Sequence, residues 1–323
     1  MKKKNGILKA LFTILIGGLL ITGCSKDDKD NSNVTSDESV IQKVNADDET
    51  RVAAVNDELN DEINGLALTN RRFLGFQAIA VISGNHVPCN TVIDSSLMNQ
   101  GTMVVTFNGN NCAGTFSRTG SITLQLPYDA PNNTVTPWAT AGCVLSVTFN
   151  QFSVTRLSNG KTVTINGTKY ITNVNGGIVD DSPNFITPVE HHVTGMMQIT
   201  FDNNTTRTWN IDRTRSISRT NNITSVTITG NATQNGISNV ATWGINRRGD
   251  SFTISIPTPV VLNSSCNFHA ISGVRVHYGI ARVLTVTYGV DASGNIVTSG
   301  CPYGYRLNWI NHNGNPMQIV VSY

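Results

Sequence analysis

Side chains with the means to do chemistry gather in two places along this chain of 323 residues. One is Asp180-Asp181 with Glu190-His191-His192, in an expected loop that contains Pro183 and Pro188. Carboxylate oxygens and imidazole nitrogens this close in sequence are weak candidates for a divalent-cation site. A solvated Asp-Asp-Ser-Pro turn has the same composition, and no resident metal is expected. The other is Arg207, Trp209, Arg213 and Arg215, which share one parity. On a strand that parity puts guanidinium groups and an indole on one face. Such a candidate binding face suits an anionic glycan or a protein partner, because arginine stacks on rings and pairs with anions. The pattern also suits a sheet rim where arginine stems cover apolar neighbours. Trp138, Trp209, Trp243 and Trp309, with Tyr303 and Tyr305, are further candidates for a sugar-stacking platform, or for core and rim.

Catalytic motifs are missing. There is no nucleophile elbow, zinc-protease motif or phosphate-binding glycine loop. Residues 63–323 hold one Glu, Glu190, and eight Asp, a poor supply for paired-carboxylate hydrolysis. The expectation is no enzyme, no catalytic residues and no cofactor.

The elements that would carry these residues read as strands. In Met197–Arg219, Met197, Ile199 and Phe201 alternate with polar residues, Asp202-Asn203-Asn204 supplies a turn, and alternation resumes through Trp209, Ile211 and Ile217. Further strand-like runs are Phe76–Ser83, Met103–Phe107, Ser121–Leu126, Val144–Thr155, Thr162–Thr172, Ser225–Gly230, Phe252–Ile256, Ile271–Tyr278, Leu284–Tyr288 and Met317–Val321. Asn159-Gly160, Asn166-Gly167, Asn175-Gly176 and Asn313-Gly314 mark hairpins or bulges. Short turns imply antiparallel pairing. The expected fold is all-β, an antiparallel β-sandwich or a long curled meander over 70–323. Val105-Thr106-Phe107…Arg118-Thr119-Gly120-Ser121-Ile122 parallels Ile199-Thr200-Phe201…Arg213-Thr214-Arg215-Ser216-Ile217. That parallel suggests two related halves, about 76–190 and 191–323.

Ahead of this body, residues 36–69 place Val40, Ile41, Val44, Val52, Val55, Leu59, Ile63 and Leu66 at three- and four-residue spacing. That period predicts a short amphipathic helical segment, broken near Asn45 and packed by its apolar face on the body. Residues 24–62 carry twelve acids and four bases, whereas 63–323 carry nine acids and fifteen bases, thirteen of them Arg. The basic surplus is too diffuse for a nucleic-acid footprint, and no nucleic-acid partner is expected.

Lys2-Lys3-Lys4 precedes an apolar run from Ala10 to Ile21 that is shorter than the roughly 20 residues a membrane span needs. Leu20-Ile21-Thr22-Gly23-Cys24 then resembles the lipobox of bacterial lipoproteins. The resemblance implies a signal peptide over 1–23, cleavage before Cys24 and lipidation of Cys24, followed by an acidic tether over 24–35. Removing the four leader lysines takes the formal charge from +2 to −2. Lys26-Asp27-Asp28 is similar to the export tag of Gram-negative lipoproteins displayed on the outer membrane.

"RTGSI", "INGTKYITN", "RTRSI" and "CNFHAISGV" resemble a group of β-rich outer-membrane and surface lipoproteins of Gram-negative bacteria, a likeness that brings no activity with it. The cysteines fit that group at Cys89, Cys112, Cys266 and Cys301, and Cys143 has no counterpart there. In an envelope protein these four read as disulfides, Cys89–Cys112 and Cys266–Cys301, each closing a short loop across adjacent strands. With Cys24 lipidated, five thiols remain, so at least one is unpaired within the chain; Cys143 is expected free and buried.

These readings converge on a lipid-anchored, cell-surface, non-enzymatic binding or adhesion module, with the membrane as one partner and a polysaccharide or surface protein as the other. A purely structural envelope role, or an enzyme with an unrecognised site, are the alternatives. Protease added to intact cells is expected to digest the chain. Cleavage only after the outer membrane is permeabilised would refute surface display.

Overall fold

The computed structural model describes residues 88–179, 187–246, 249–280 and 282–323, together with Val40, Gln42, Val52, Val55, Leu59, Glu62, Ile63, Gly65, Leu66 and Phe73. The lipobox, the tether and the expected strand Phe76–Ser83 lie outside these residues.

The strands are β1 (Thr91–Asp94), β2 (Thr102–Asn110), β3 (Phe116–Gln125), β4 (Tyr128–Asp129), β5 (Thr134–Val135), β6 (Cys143–Arg156), β7 (Thr162–Asn173), β8 (Val189–Phe201) and β9 (Thr206–Thr220). They continue as β10 (Ile223–Gly230), β11 (Ala232–Gln234), β12 (Ile237–Ile245), β13 (Ser251–Asn263), β14 (Ala270–Ile280), β15 (Arg282–Val290), β16 (Gly304–Ile310) and β17 (Pro316–Ser322). All but the small β4–β5 pair belong to one antiparallel sheet in which most neighbours in sequence are neighbours in space, while β3 pairs with β6 and β10 with β13. Next to β9 one strand position is shared. Arg213 faces Gly230 of β10, while Ile211 faces Thr242 of β12. Residues 223–245 therefore run along β9 as one line, interrupted by the β11–β12 hairpin.

Of the two architectures expected, the meander forms and the sandwich does not. Most strands pair antiparallel with the strand before them, through short turns and also across the longer connections 174–188 and 291–303. The expected halves also join without a seam. β7 and β8 stay in register from Asn173↔His191 to Val163↔Phe201, across the division at residue 190.

The alternation read from the sequence is the burial pattern seen. Met103, Val105 and Phe107 of β2, Leu145, Val147 and Phe149 of β6, and Met197, Ile199 and Phe201 of β8 are all buried on one face. Val52, Val55, Leu59, Ile63 and Leu66 are helical where described, and they join the same core cluster as β2–β9. The apolar stripe of the helical segment thus covers the inner face of the sheet. A second core cluster, with Ile217, Val226, Ile256, Leu284, Leu307 and Trp309, continues along the C-terminal strands.

Bulges bend the sheet. Gln151 adopts φ 50° where the β3–β6 register shifts, and a Cβ on Gly120 would lie 2.1 Å from the Gln151 carbonyl oxygen. Only glycine admits that approach.

The hairpin loops reuse one device. Oδ1 of Asn111, Asn246, Asp291 and Asn311 accepts from the backbone N–H four residues on, at 2.9–3.0 Å. The glycine three residues on is left-handed each time, at Gly114, Gly249, Gly294 and Gly314. An Asn or Asp side chain that mimics a backbone turn explains both choices. The expected Asp202–Asn204 turn also forms, with Asn204 at φ 60°.

Both disulfides form, Cys89–Cys112 beside β1 and Cys266–Cys301 across the opposite end of the C-terminal strands, and Cys143 is free and buried. Their loops of 23 and 35 residues are worth about 3–4 kcal/mol each by loop-closure entropy. Urea unfolding with and without reductant is expected to show a loss of that order per bridge, with C266S/C301S reproducing the second.

Candidate functional site

The arginine-bearing strand was expected to offer a binding face, or a rim. It does neither, because β9 lies in the middle of the sheet with its odd-numbered face turned into the core. Arg207, Trp209, Arg213 and Arg215 are buried at 6, 0, 2 and 0 % exposure. Arg118, Lys169 and Arg275 are buried on the same inner face.

A charge held away from water without compensation is costly. Aromatic faces supply part of the compensation. Arg207 lies 4.5 Å from the Phe252 ring centre, Arg118 4.9 Å from Phe107, Lys169 5.5 Å from Phe149 and Arg275 5.6 Å from Tyr288. The Arg118 guanidinium also donates to the Glu62 carboxylate of the helical segment at 2.5 Å. Lys169, Arg207, Arg213, Arg215 and Arg275 each have further partners.

The weak metal candidates come apart for a related reason. Glu190, His191 and His192 were expected in a loop but belong to β8, paired along β7 and β9, so the consecutive His191 and His192 point to opposite faces. His191 is buried beside Trp138, ring centres 5.2 Å apart. Burial, reinforced by the Arg215 charge, lowers its pKa to about 3, so the ring is neutral at ordinary pH. His192 faces outward, its Nε2 2.7 Å from Oδ1 of Asp212. Glu190 shares that outward parity, Asp180 and Asp181 lie outside the described residues, and no group of metal-ligating side chains gathers among the described residues. The aromatic set divides too. Trp138, Trp209, Trp309 and Tyr305 are buried, whereas Trp243 is half-buried and Tyr303 exposed.

What the sheet does present is its other face. Directly opposed residues share a face, so the register lays out rows across it. One row runs Thr148, Thr168, Met196, Asn210, Trp243, Thr253 and Tyr278, through β6, β7, β8, β9, β12, β13 and β14. Beside it runs Ser146, Tyr170, Thr194 and Asp212. Strands about 4.8 Å apart put Trp243 and Tyr278 roughly 10 Å from each other.

Tyr170 is 46 % and Met196 66 % exposed, near the centre of a large sheet. The surrounding polar groups brace one another. Thr148 and Thr168 hydroxyls meet at 3.0 Å, Asn210 Nδ2 donates to the Trp243 carbonyl at 3.2 Å, and Asn231 Nδ2 donates to Thr214 Oγ1 at 2.9 Å.

Comparison with protein-family models, with curated proteins and with solved structures finds no match. A ring-and-thioether patch framed by neutral hydroxyl and amide groups, with the His192–Asp212 pair at its margin, can stack on and hydrogen-bond an uncharged polar ligand. Tyr170, Met196 and Tyr278 did not stand out in the sequence. Parity was the usable signal: once Trp209 is inward, Asn210 is outward, and so is whatever stands opposite it.

His191 sets a pH response. Unfolded, its imidazole binds a proton near pH 6.5, and folded only near 3. Its contribution to stability is thus complete above pH 6.5 and is lost as pH falls towards 3, by about 1.4 kcal/mol per unit. Urea unfolding at pH 7.5 and 4.5 is expected to show His191→Phe losing about 2–3 kcal/mol less than the unmodified chain over that interval.

Proposed function

We propose that the chain is a non-enzymatic, surface-anchored adhesion module whose outer sheet face binds neutral polysaccharide. The anchor in this reading is lipid on Cys24, and several acyl chains hold a protein at a membrane where one does not. The observation that supports the ligand class is the outer-face patch of exposed Tyr170 and Met196 with half-buried Trp243 and Tyr278, amid Thr, Ser and Asn side chains. Aromatic rings give an apolar surface with a polar edge, which suits the alternating faces of a sugar ring. Hydroxyl and amide groups fixed by neighbouring strands donate and accept at low entropic cost.

Neutrality follows from the burial of the basic residues. Arg118, Arg207, Arg213, Arg215 and Arg275 face inward, so among the described residues no cationic stripe of the kind that suits an acidic glycan lies along the outer face of β6–β9. This replaces the anionic-polymer reading of the arginine strand.

The test is retention of the purified chain on a panel of insoluble neutral polysaccharides at 0.1 and 1 M salt. Binding to at least one, unchanged by salt, is expected. Tyr170→Ala with Trp243→Ala should weaken it about tenfold or more, with the thermal midpoint followed as a folding control. Retention on acidic polymers alone, or binding indifferent to the double substitution, would refute the reading.

A further inference from the structure

Among the described residues the sheet ends at β1 and β17, and these two edges are unlike each other. β1 is four residues long, carries Asp94, and follows disulfide-bonded Cys89. A short, charged, cross-linked edge resists pairing with another chain. β17 is seven residues long, Pro-Met-Gln-Ile-Val-Val-Ser, with no charged residue and no register shift along its whole contact with β16.

The orientation of its backbone groups can be read from the strand ends. Tyr323 N–H donates to the Tyr303 carbonyl at 3.1 Å, and Asn311 N–H to the Asn315 carbonyl at 2.9 Å. Hydrogen-bonded positions alternate in an antiparallel ladder, so the odd-numbered residues of β17 face β16. Gln318, Val320 and Ser322 therefore direct their N–H and C=O groups to the free edge. Among the described residues β17 pairs with β16 alone. The edge is also held in shape. The Tyr323 ring stacks on His269 at 4.5 Å, and its hydroxyl donates to the Ala270 carbonyl.

We propose that β17 is the seam of a two-fold dimer of this chain, formed by antiparallel pairing of β17 with its copy about Val320. That register is self-complementary. Val320 pairs with Val320, Gln318 with Ser322 and Ser322 with Gln318, which uses every backbone group the edge offers. On the inner face Ile319 meets Val321, and on the outer face amide meets hydroxyl. Pro316, which has no N–H to give, falls beyond the paired segment. No charge stands opposite a like charge, the usual obstacle to self-pairing of edges. The pairing continues the ladder across the axis, so the outer faces of the two copies become one surface. A polymer spanning both would gain avidity, but the dimer itself does not depend on what the outer face binds.

The test uses the full chain in detergent micelles. Sedimentation is expected to report two protein copies per particle. Val320→Cys places two thiols directly opposite, at the Cα separation of about 5.5 Å shared by hydrogen-bonded pairs and disulfides, and should give a covalent dimer under mild oxidation. Gln318→Cys, whose thiols stand about 13 Å apart in this register, should not. Val320→Lys sets like charges face to face and should raise the dimer dissociation constant about tenfold or more, its thermal midpoint serving as the folding control. A monomer at all concentrations, a larger oligomer, or Gln318→Cys cross-linking as readily as Val320→Cys would each overturn the proposal.

Discussion

One constraint shapes this molecule. A single antiparallel sheet, most of its strands beside their sequence neighbours, has an apolar face that, among the described residues, no second sheet layer covers. The chain meets the constraint by bending the sheet at bulges such as Gln151 opposite Gly120, and by laying the stripe Val52, Val55, Leu59, Ile63 and Leu66 into the same core. Burial at about 25 cal/mol per Å² of apolar surface makes that cover a main source of stability. The helical segment is therefore part of the core and more than a spacer.

The same constraint accounts for the charges. The body has an excess of basic residues, yet Arg118, Lys169, Arg207, Arg213, Arg215 and Arg275 sit on the inner face, over rings or against partners that include Glu62 of the helical segment. Inside, a guanidinium is tolerated where its plane stacks on a ring, as Arg207 does on Phe252, or where an acid such as Glu62 stands beside it, as at Arg118. His191 is tolerated because it is neutral. The inner face is consequently a polar-studded core, and the net charge of the body says little about the field around the molecule.

With Arg118, Lys169, Arg207, Arg213, Arg215, Arg275 and most tryptophans turned inward, the outer face around Tyr170 and Met196 is mostly hydroxyls, amides and a few rings, with the His192–Asp212 pair at its margin. Cross-strand pairs such as Thr148–Thr168 and Ser153–Thr164, at 3.0 and 2.9 Å, hold those hydroxyls in a lattice set by strand spacing. A surface of that kind can recognise a polymer by repeating weak contacts, without any pocket. The uncharged edge at β17 would extend it.

Period-two alternation alone determined most of the strands, because side chains on a pleated strand must alternate and one face must be buried. It located β6, β7, β9 and β15 to within a few residues, but it began β8 at Met197, eight residues after its start at Val189, because Glu190-His191-His192 after Pro188 read as a loop. Turn chemistry did the same for the Asp202–Asn204 and Asn313-Gly314 hairpins. Cysteine spacing, read with the lipoprotein resemblance, named both disulfides and the free thiol. The sequence also showed that Arg207, Trp209, Arg213 and Arg215 share a face. It did not show which face, since parity is the same for core and surface. Only tertiary structure decided that, by setting β9 mid-sheet with β8 on one side and β10 and β12 on the other. Tyr170, Met196, Trp243 and Tyr278 are separated by up to 108 positions in the chain, and no local pattern connects them. They become one patch through the register of the intervening strands, which is a property of the paired sheet and of no single segment within it.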